Sequence, residues 1–426
     1  MTAREAAFLS LQKFERDGKY LNIELSASIE KFKLRGAEKA LYTALLYGVI
    51  ERRLTLEYLL EKYSSRPVAE IDRDVKTAVL LGLYQLRFMD KIPPSAAVNE
   101  SVALLRRFYA KKNSEGFANA VLRAAASDGK SPVFPKGNTA RRLSVQYSVA
   151  PWICEKFIAD LGFDTAEKIL AASFSHPKLT LAANTLKISR DELADKLAAS
   201  GIKCEKTAFS PRGVRLLENI PYDALPADKG LFFVEDEASQ LCGEALGALP
   251  GDTVLDACAC PGGKSFYSAV RMENHGRIVA CDLHKSKLSL VSSGADRLGI
   301  SIIETREQNS AEFCPELPPF DKVLCDVPCS GLGVLAKKPE IRYKSESDVA
   351  RLPSVQYSIL DNCSKYVRSG GTLVYSTCTV MKDENEYVTE KFASLHPDFT
   401  LVSSRRLLPG DCGDGFYIAK FVKRDT

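Results

Sequence analysis

The 426-residue sequence has no apolar run long enough to cross a bilayer: the strongest, 77-TAVLLGLYQL-86, is far shorter than the roughly 20 residues a membrane helix needs. The first twenty residues, MTAREAAFLSLQKFERDGKY, mix charges of both signs and lack the apolar core of a secretory signal. A cytoplasmic protein that spans no membrane is therefore expected. Cysteine is missing from the first 150 residues, and all 12 cysteines lie beyond them. A large chain without an export signal argues against a disulfide framework. The paired C-x2-C of a zinc ribbon is also lacking. The close spacings are C-x-C at Cys258 and Cys260 and C-x3-C at Cys325 and Cys329, so no metal site is expected. Most of these cysteines read as small buried hydrophobes.

Charge is unevenly spread. Residues 1–150 hold 25 Lys and Arg against 16 Asp and Glu, whereas the remainder holds 33 against 38. A basic first third suggests contact with an anionic polymer, with solvated helix faces as the plain alternative. The chain is long enough for two or three domains. Helical periodicity fills residues 1 to about 125, as in 37-AEKALYTALLYGVIERR-53 (Leu41, Ala44, Leu45 and Val49 on one stripe), 75-VKTAVLLGLYQLRFM-89 and 97-AVNESVALLRRFYA-110. Pro93 and Pro94 separate two of these helices. The linker 128-DGKSPVFPKGN-138 follows, then a helix from Pro151 and a small α+β unit near 176–230.

From about residue 236 strands and helices alternate. Strands are predicted at 253–257, 277–282, 300–305, 321–326 and 371–377, with helices near 236–248, 264–273, 285–298 and 348–368. An antiparallel pair closes the chain at 398–402 and 415–422. The fold class expected is α/β: a doubly wound, Rossmann-like domain preceded by a small α+β unit and an all-α bundle. The domain borders are placed at 1–140, 141–230 and 231–426.

The turn 256-DACACPGGKS-265 follows the first of these strands. A P-loop needs glycine where Cys258 stands, and the dinucleotide fingerprint G-x-G-x-x-G is missing. Gly262 and Gly263 admit a ligand close to the backbone, and helix-start amides favour a carboxylate. Asp282 ends the next strand, where a carboxylate can hold two ribose hydroxyls. A nucleoside bearing a carboxylate fits S-adenosylmethionine, with another nucleotide as the alternative. The stretch 326-DVPCSGLG-333 then sets Asp326 and Cys329 after the fourth strand, and 376-STCTV-380 sets Cys378 after the fifth. Two thiols and a carboxylate would share one sheet edge, unless these cysteines only pack.

These stretches resemble the Nop/Sun family of RNA (cytosine-5) methyltransferases. The resemblance is carried by 256-DACACPGGK-264, 326-DVPCSGLGV-334, 375-YSTCTVMKDENE-386, 414-DGFYIAKF-421 and the upstream 233-FVEDEASQL-241. In the first third, 47-YGVIERRLTLEYLL-60 and 116-GFANAVLR-123 resemble the NusB-like domain of the Sun subgroup. That subgroup methylates a cytosine of bacterial small-subunit ribosomal RNA. The resemblance implies S-adenosylmethionine held by Cys258, Ala259, Cys260, Pro261, Gly262, Gly263 and Lys264 at the methionine end. Asp282 takes the ribose, Asn309 (where the family usually has aspartate) the adenine, and Asp326 faces both pockets. It implies Cys378 as nucleophile and Cys329 as the releasing residue.

Two departures stand out: Ala182 where the subgroup often has arginine, and Gly410 where a histidine is common. Covalent attack makes chemical sense, because cytosine C5 is a poor nucleophile until a thiolate adds at C6. The target base must leave its stack to be reached. The expected partner is small-subunit ribosomal RNA met by a monomer, with phosphate contacts from Arg52, Arg53, Arg106, Arg107, Lys111 and Lys112. A transfer RNA target and an inactive RNA-binding or antitermination protein are the alternatives.

Overall fold

The computed structural model describes residues 1–17, 21–109, 111, 113–175, 177–220, 222–226 and 229–425. The chain divides into two compact units, Met1–Leu170 with Lys338–Ser345, and Ala171–Lys337 with Glu346–Thr426.

The first unit begins with seven helices among the described residues: α1 (Ala3–Asp17), α2 (Leu21–Lys31), α3 (Gly36–Glu51), α4 (Arg53–Tyr63), α5 (Arg73–Phe88), α6 (Pro94–Phe108) and α7 (Ser114–Ser127). Helix α5 is the axis of the bundle. Asp72 caps its first turn through Asp74 N–H, and Val75, Ala78, Val79, Leu80, Leu81 and Leu83 are all buried. Gly82 lets α7 approach, since a Cβ there would lie 2.6 Å from a Leu122 methyl. The helix predicted across 37–53 ends two residues early, at Glu51. Arg52 closes α3 and opens α4, and Tyr42 and Leu46 join Leu45 and Val49 in the core. Pro94 sits in the first turn of α6, where its missing N–H costs nothing.

Helices α8 (Ala140–Tyr147), α9 (Pro151–Leu161) and α10 (Phe163–Ala172) follow. Against the bundle and these helices packs Lys338–Ser345, which comes from the far half of the sequence. Arg342 is fully buried and donates to Tyr147 O. The Tyr343 hydroxyl bonds Ser148 Oγ (2.7 Å) and Ile50 O and accepts from Arg53 N–H (3.1 Å). Trp152 Nε1 donates to Lys344 O at 2.8 Å.

In the second unit, β1 (Thr180–Ala183), β2 (Cys204–Lys206), β3 (Gly213–Leu216) and β4 (Phe232–Val234) form an antiparallel sheet in the order β2-β3-β1-β4. Helix α11 (Arg190–Ala199), started by a Ser189–Glu192 capping box, packs on it. Strand β2 escaped the sequence reading because three largely exposed edge residues carry no apolar alternation.

The second sheet has seven strands. They are β5 (Thr253–Asp256), β6 (Arg277–Asp282), β7 (Ile303–Glu307), β8 (Phe320–Asp326), β9 (Val367–Thr377), β10 (Phe399–Leu407) and β11 (Phe416–Lys423), in the order β10-β11-β9-β8-β5-β6-β7. Strands β5 to β9 are parallel, and β10 and β11 close one side antiparallel. The helices are α12 (Glu237–Leu246), α13 (Gly263–Arg271), α14 (Lys285–Leu298), the short α15 (Glu346–Val349), α16 (Leu352–Ser364) and α17 (Glu386–Leu395). This is the α/β architecture the alternation predicts. Strand β7 starts three residues later than expected, because Ile300 packs in the core before pairing begins. The long helix expected over 348–368 is shorter, starting at Leu352 with Pro353 in its first turn. After β5 the chain builds outward through β6 and β7, then returns to the other side of β5 for β8 and β9. The order reverses between β5 and β8, and ligands of such sheets bind at that crevice.

Candidate active site

Three neighbouring strands end at this crevice, β5 at Asp256, β8 at Asp326 and β9 at Thr377. The loop after β5 is pinned on both sides. Ala257 N–H bonds Leu324 O at 2.9 Å, and Ala259 N–H bonds Cys281 O at 2.8 Å. Gly262 has φ +119°, and a Cβ there would lie 2.4 Å from the Phe266 ring. At Gly263 a Cβ would come 2.8 Å from Glu235 Oε1. At both positions the place of a Cβ is already taken by the protein's own side chains, so glycine is what lets the loop pack this closely on Phe266 and Glu235.

Lys264 turns into the protein. Its Nζ lies 2.7 Å from Asp326 Oδ2 and 5.2 Å from the Phe416 ring centre. Burial opposes its charge, but Asp326, with Cys242 and Glu235, holds it protonated above the ordinary lysine range. Asp326 Oδ1 accepts from Ser376 Oγ at 2.7 Å. Two further carboxylates flank the loop, and each has one oxygen without a hydrogen-bond partner. Asp256 accepts from Ser265 Oγ (2.6 Å), and burial pushes it up to about 6. Glu235 is 6% exposed and accepts from Ser239 Oγ (3.1 Å); burial pushes it up to about 7 against the pull of Lys264.

Cys258 and Cys260 behave as packing thiols. Burial raises Cys258 well above its ordinary value, and burial with the Asp282 carboxylate pushes Cys260 up to about 12. Asp282 ends β6 and accepts from His284 N–H at 2.9 Å. Asn309 is used locally, with Nδ2 donating to Glu312 Oε1 (2.7 Å) and Oδ1 accepting from Ala311 N–H (3.2 Å).

Cys329 and Cys378 meet, their sulfurs 3.2 Å apart without a disulfide. The contact to Cys378 and then burial hold the Cys329 thiol well above its ordinary value. Both loops hang on Glu384, a carboxylate only 3% exposed. It accepts from Ser330 N–H (2.8 Å), Ser330 Oγ and Gln356 Nε2 (2.9 Å), while Gln356 also donates to Pro328 O. Asn385 closes the turn after β9 by accepting from Thr377 Oγ1 and donating to Thr379 O. Gly333 N–H bonds Cys378 O at 3.0 Å, and a Cβ on Gly333 would strike Gly415 O. The sequence reading singled out none of Glu235, Gln356, Glu384 and Asn385. For Glu235, Glu384 and Asn385 the usable signal is an acidic or amide residue inside the matched stretches 233–241 and 375–386, beside apolar strand ends; Gln356, inside α16, carries none.

The cations picked for RNA contact are mostly engaged within the first unit. Arg53 pairs with Glu57 (3.2 Å), Arg106 with Glu115 (2.7 Å), Arg107 with Glu5 and Lys111 with Asp72 (3.3 Å). Arg52 lies over the Phe88 ring, and burial lowers its pKa. Lys112 lies outside the described residues. Ala182 is fully buried in β1, with no room there for the arginine of the subgroup.

Three family models match the chain: "16S rRNA methyltransferase RsmB/F" over residues 244–422, "NusB family" over 1–127, and "Methyltr_RsmF/B-like, ferredoxin-like domain" over 150–223. A Bacillus subtilis (strain 168) protein named "Probable ribosomal RNA small subunit methyltransferase B" is 37% identical over 401 residues, covering 93% of this chain and 89% of that protein. The "Ribosomal RNA small subunit methyltransferase B" of Pseudomonas syringae pv. tomato is 31% identical over 99% of this chain and 97% of its own length. The crystal structure of PH0851 shares the fold across 99% of both chains, with a TM-score of 0.82 at 22% identity. A methyltransferase homologue from Pyrococcus horikoshii covers 66% of this chain and 97% of its own, with a TM-score of 0.60 at 26% identity.

Proposed function

Because the chain belongs to the ribosomal RNA small subunit methyltransferase B family, we propose that it methylates C5 of a cytosine in 16S ribosomal RNA through a covalent Cys378 intermediate. The observation that carries this reading is the meeting of Cys329 and Cys378, 3.2 Å apart, at strand ends beside Asp326.

The loop residues suit S-adenosylmethionine. Two buried carboxylates, each with an unpartnered oxygen, fit a cationic ligand beside this loop. Residues 258–264 would hold its methionine end and Asp282 its ribose; Asn309 Oδ1 keeps a second lone pair for the adenine amine. When bound, this cofactor supplies the methyl group as an electrophile.

The protein's own residues do the rest. Cys329 keeps its proton and donates it toward Cys378, which favours the thiolate there. The Cys378 thiolate adds to C6 of the cytosine, forming a C–S bond and making C5 nucleophilic toward the methyl group. Asp326, paired with Lys264, is placed to accept from the exocyclic amine of the base. A water acting as base removes the C5 proton, while the protonated Cys329 thiol hydrogen-bonds the departing Cys378 sulfur. The electron pair restores C5=C6 and expels the Cys378 thiolate. The crevice serves a base flipped out of its stack.

The test is a pair of variants. Cys378→Ala abolishes methylation and forms no adduct, whereas Cys329→Ala accumulates a covalent protein–RNA species visible on denaturing gels. Adduct formation in Cys378→Ala would reverse the roles. Bisulfite sequencing of RNA from a strain lacking the gene shows one missing methylcytosine in 16S RNA; a loss confined to transfer RNA refutes the substrate assignment.

A further inference from the structure

Glu235 takes no part in the covalent steps, yet it is buried against the loop proposed to hold the methyl donor. Its Oε1 lies where a Cβ on Gly263 would collide; among the described residues its side chain is tethered by Ser239 alone, and its Oε2 has no hydrogen-bond partner. The neighbouring charges are largely cancelled. Lys264 is neutralised by Asp326 at 2.7 Å. Asp236 accepts from Ala238 and Asp414 N–H and pairs with Lys337 at 2.8 Å. Asp256, the other buried carboxylate, is tied to Ser265. Glu235 and Asp256 are thus the buried carboxylates here without a direct cation contact, and Glu235 is the one whose oxygen lies against Gly263.

We infer that Glu235 supplies the negative charge by which the site distinguishes the cationic methyl donor from its neutral product. S-adenosylmethionine carries a sulfonium, an ammonium and a carboxylate, one net positive charge, whereas S-adenosylhomocysteine carries none. A desolvated carboxylate attracts the first more than the second, since the Coulomb term is large where water is excluded. Donor is then held and product released. Binding of the cation also favours the ionised form of Glu235, so a proton leaves as the donor binds. Lys264 pulls in the same direction, while Asp326 and Asp236 oppose ionisation. Without ligand Glu235 sits at about 7, so the exchange is readable near neutral pH. The inference rests on the cofactor reading above.

Titration calorimetry of the full chain tests it, with each ligand run at pH 6.0, 6.5 and 7.0 in two buffers of different ionisation enthalpy. Donor binding at pH 6.5 releases most of one proton and product binding releases none. Donor affinity rises about fivefold from pH 6.0 to 7.0, as the ionised fraction of a group titrating near 7 requires. In Glu235→Gln the proton release disappears and donor affinity at pH 7.0 falls about fiftyfold, as a roughly hundredfold preference of the donor for the ionised carboxylate requires. Product affinity stays within about twofold in that variant, which also shows that the site is still folded. Persistence of proton release and donor preference in Glu235→Gln overturns the inference and points to Asp256. Equal losses for both ligands overturn it too, by making Glu235 a structural group. If the unaltered protein binds neither ligand, the cofactor reading falls, and the inference with it.

Discussion

Replacing Glu235 by glutamine stabilises the ligand-free protein, and does so increasingly as pH rises from about 4.5 to about 7. Burial lifts this carboxyl from 4.5 to about 7. In the folded state its ionisation is therefore resisted, while in the unfolded chain it ionises freely. A group whose folded pKa is raised contributes its full stability below the unfolded value, near 4.5. That contribution is lost as pH rises through the folded value, near 7. The gap of some 2.5 units corresponds to about 3 kcal/mol lost by the unaltered protein between those limits. Glutamine keeps the shape, carries no charge and loses nothing over this range. The assay is thermal unfolding of both proteins at pH 5 and pH 8, compared as the difference in Tm at each pH. The advantage of the variant grows by roughly 5–10 °C between the two, at about 2–4 °C per kcal/mol for a unit of this size. An offset that is the same at both pH values would refute the reasoning, because it would mean that Glu235 is not held near neutrality by its surroundings. Weak donor binding and higher apo stability in one variant are the two faces of a charge kept for function.

Two further substitutions probe the scaffold. Glu384→Ala leaves Ser330 N–H, Ser330 Oγ and Gln356 Nε2 without their buried acceptor; it costs about 3 kcal/mol or more in urea unfolding and removes methylation, while Glu384→Gln retains part of both. Tyr343→Phe removes the hydroxyl that bonds Ser148 and Ile50 and accepts from Arg53 N–H; it costs about 1–3 kcal/mol and speeds proteolysis within 338–345.

Much of the crevice was legible before any coordinates. Asp256, Asp282 and Asp326 each close a strand, and short-range rules place strand ends because apolar runs, turns and glycines are local signals. The Pro-Gly-Gly turn calls for a backbone that favours glycine, and Gly262 at φ +119° adopts it. Less legible was what each charged side chain does. Lys264 reads as a ligand-gripping lysine, and its ion pair with Asp326, 62 positions along, is a contact that no local pattern carries. The basic residues of the first third read as available for phosphate, and Arg53, Arg106, Arg107 and Lys111 each also have an acidic partner, two of them, Glu5 and Asp72, distant in sequence. Composition counts charges but cannot see which of them meet.

The sequence by itself determined the alternation of helix and strand, the layers it implies and the strand ends that carry Cys329 and Cys378. These depend on side-chain periodicity and backbone freedom, properties of neighbouring residues. Only the tertiary structure decided that the two sulfurs stand 3.2 Å apart, that Glu384 ties their loops together and that Glu235 lies desolvated behind Gly263. It also decided that Lys338–Ser345 packs with the first unit. Each of these is a contact between segments far apart in the chain, and its energy comes from burial and pairing that exist only once the segments have met.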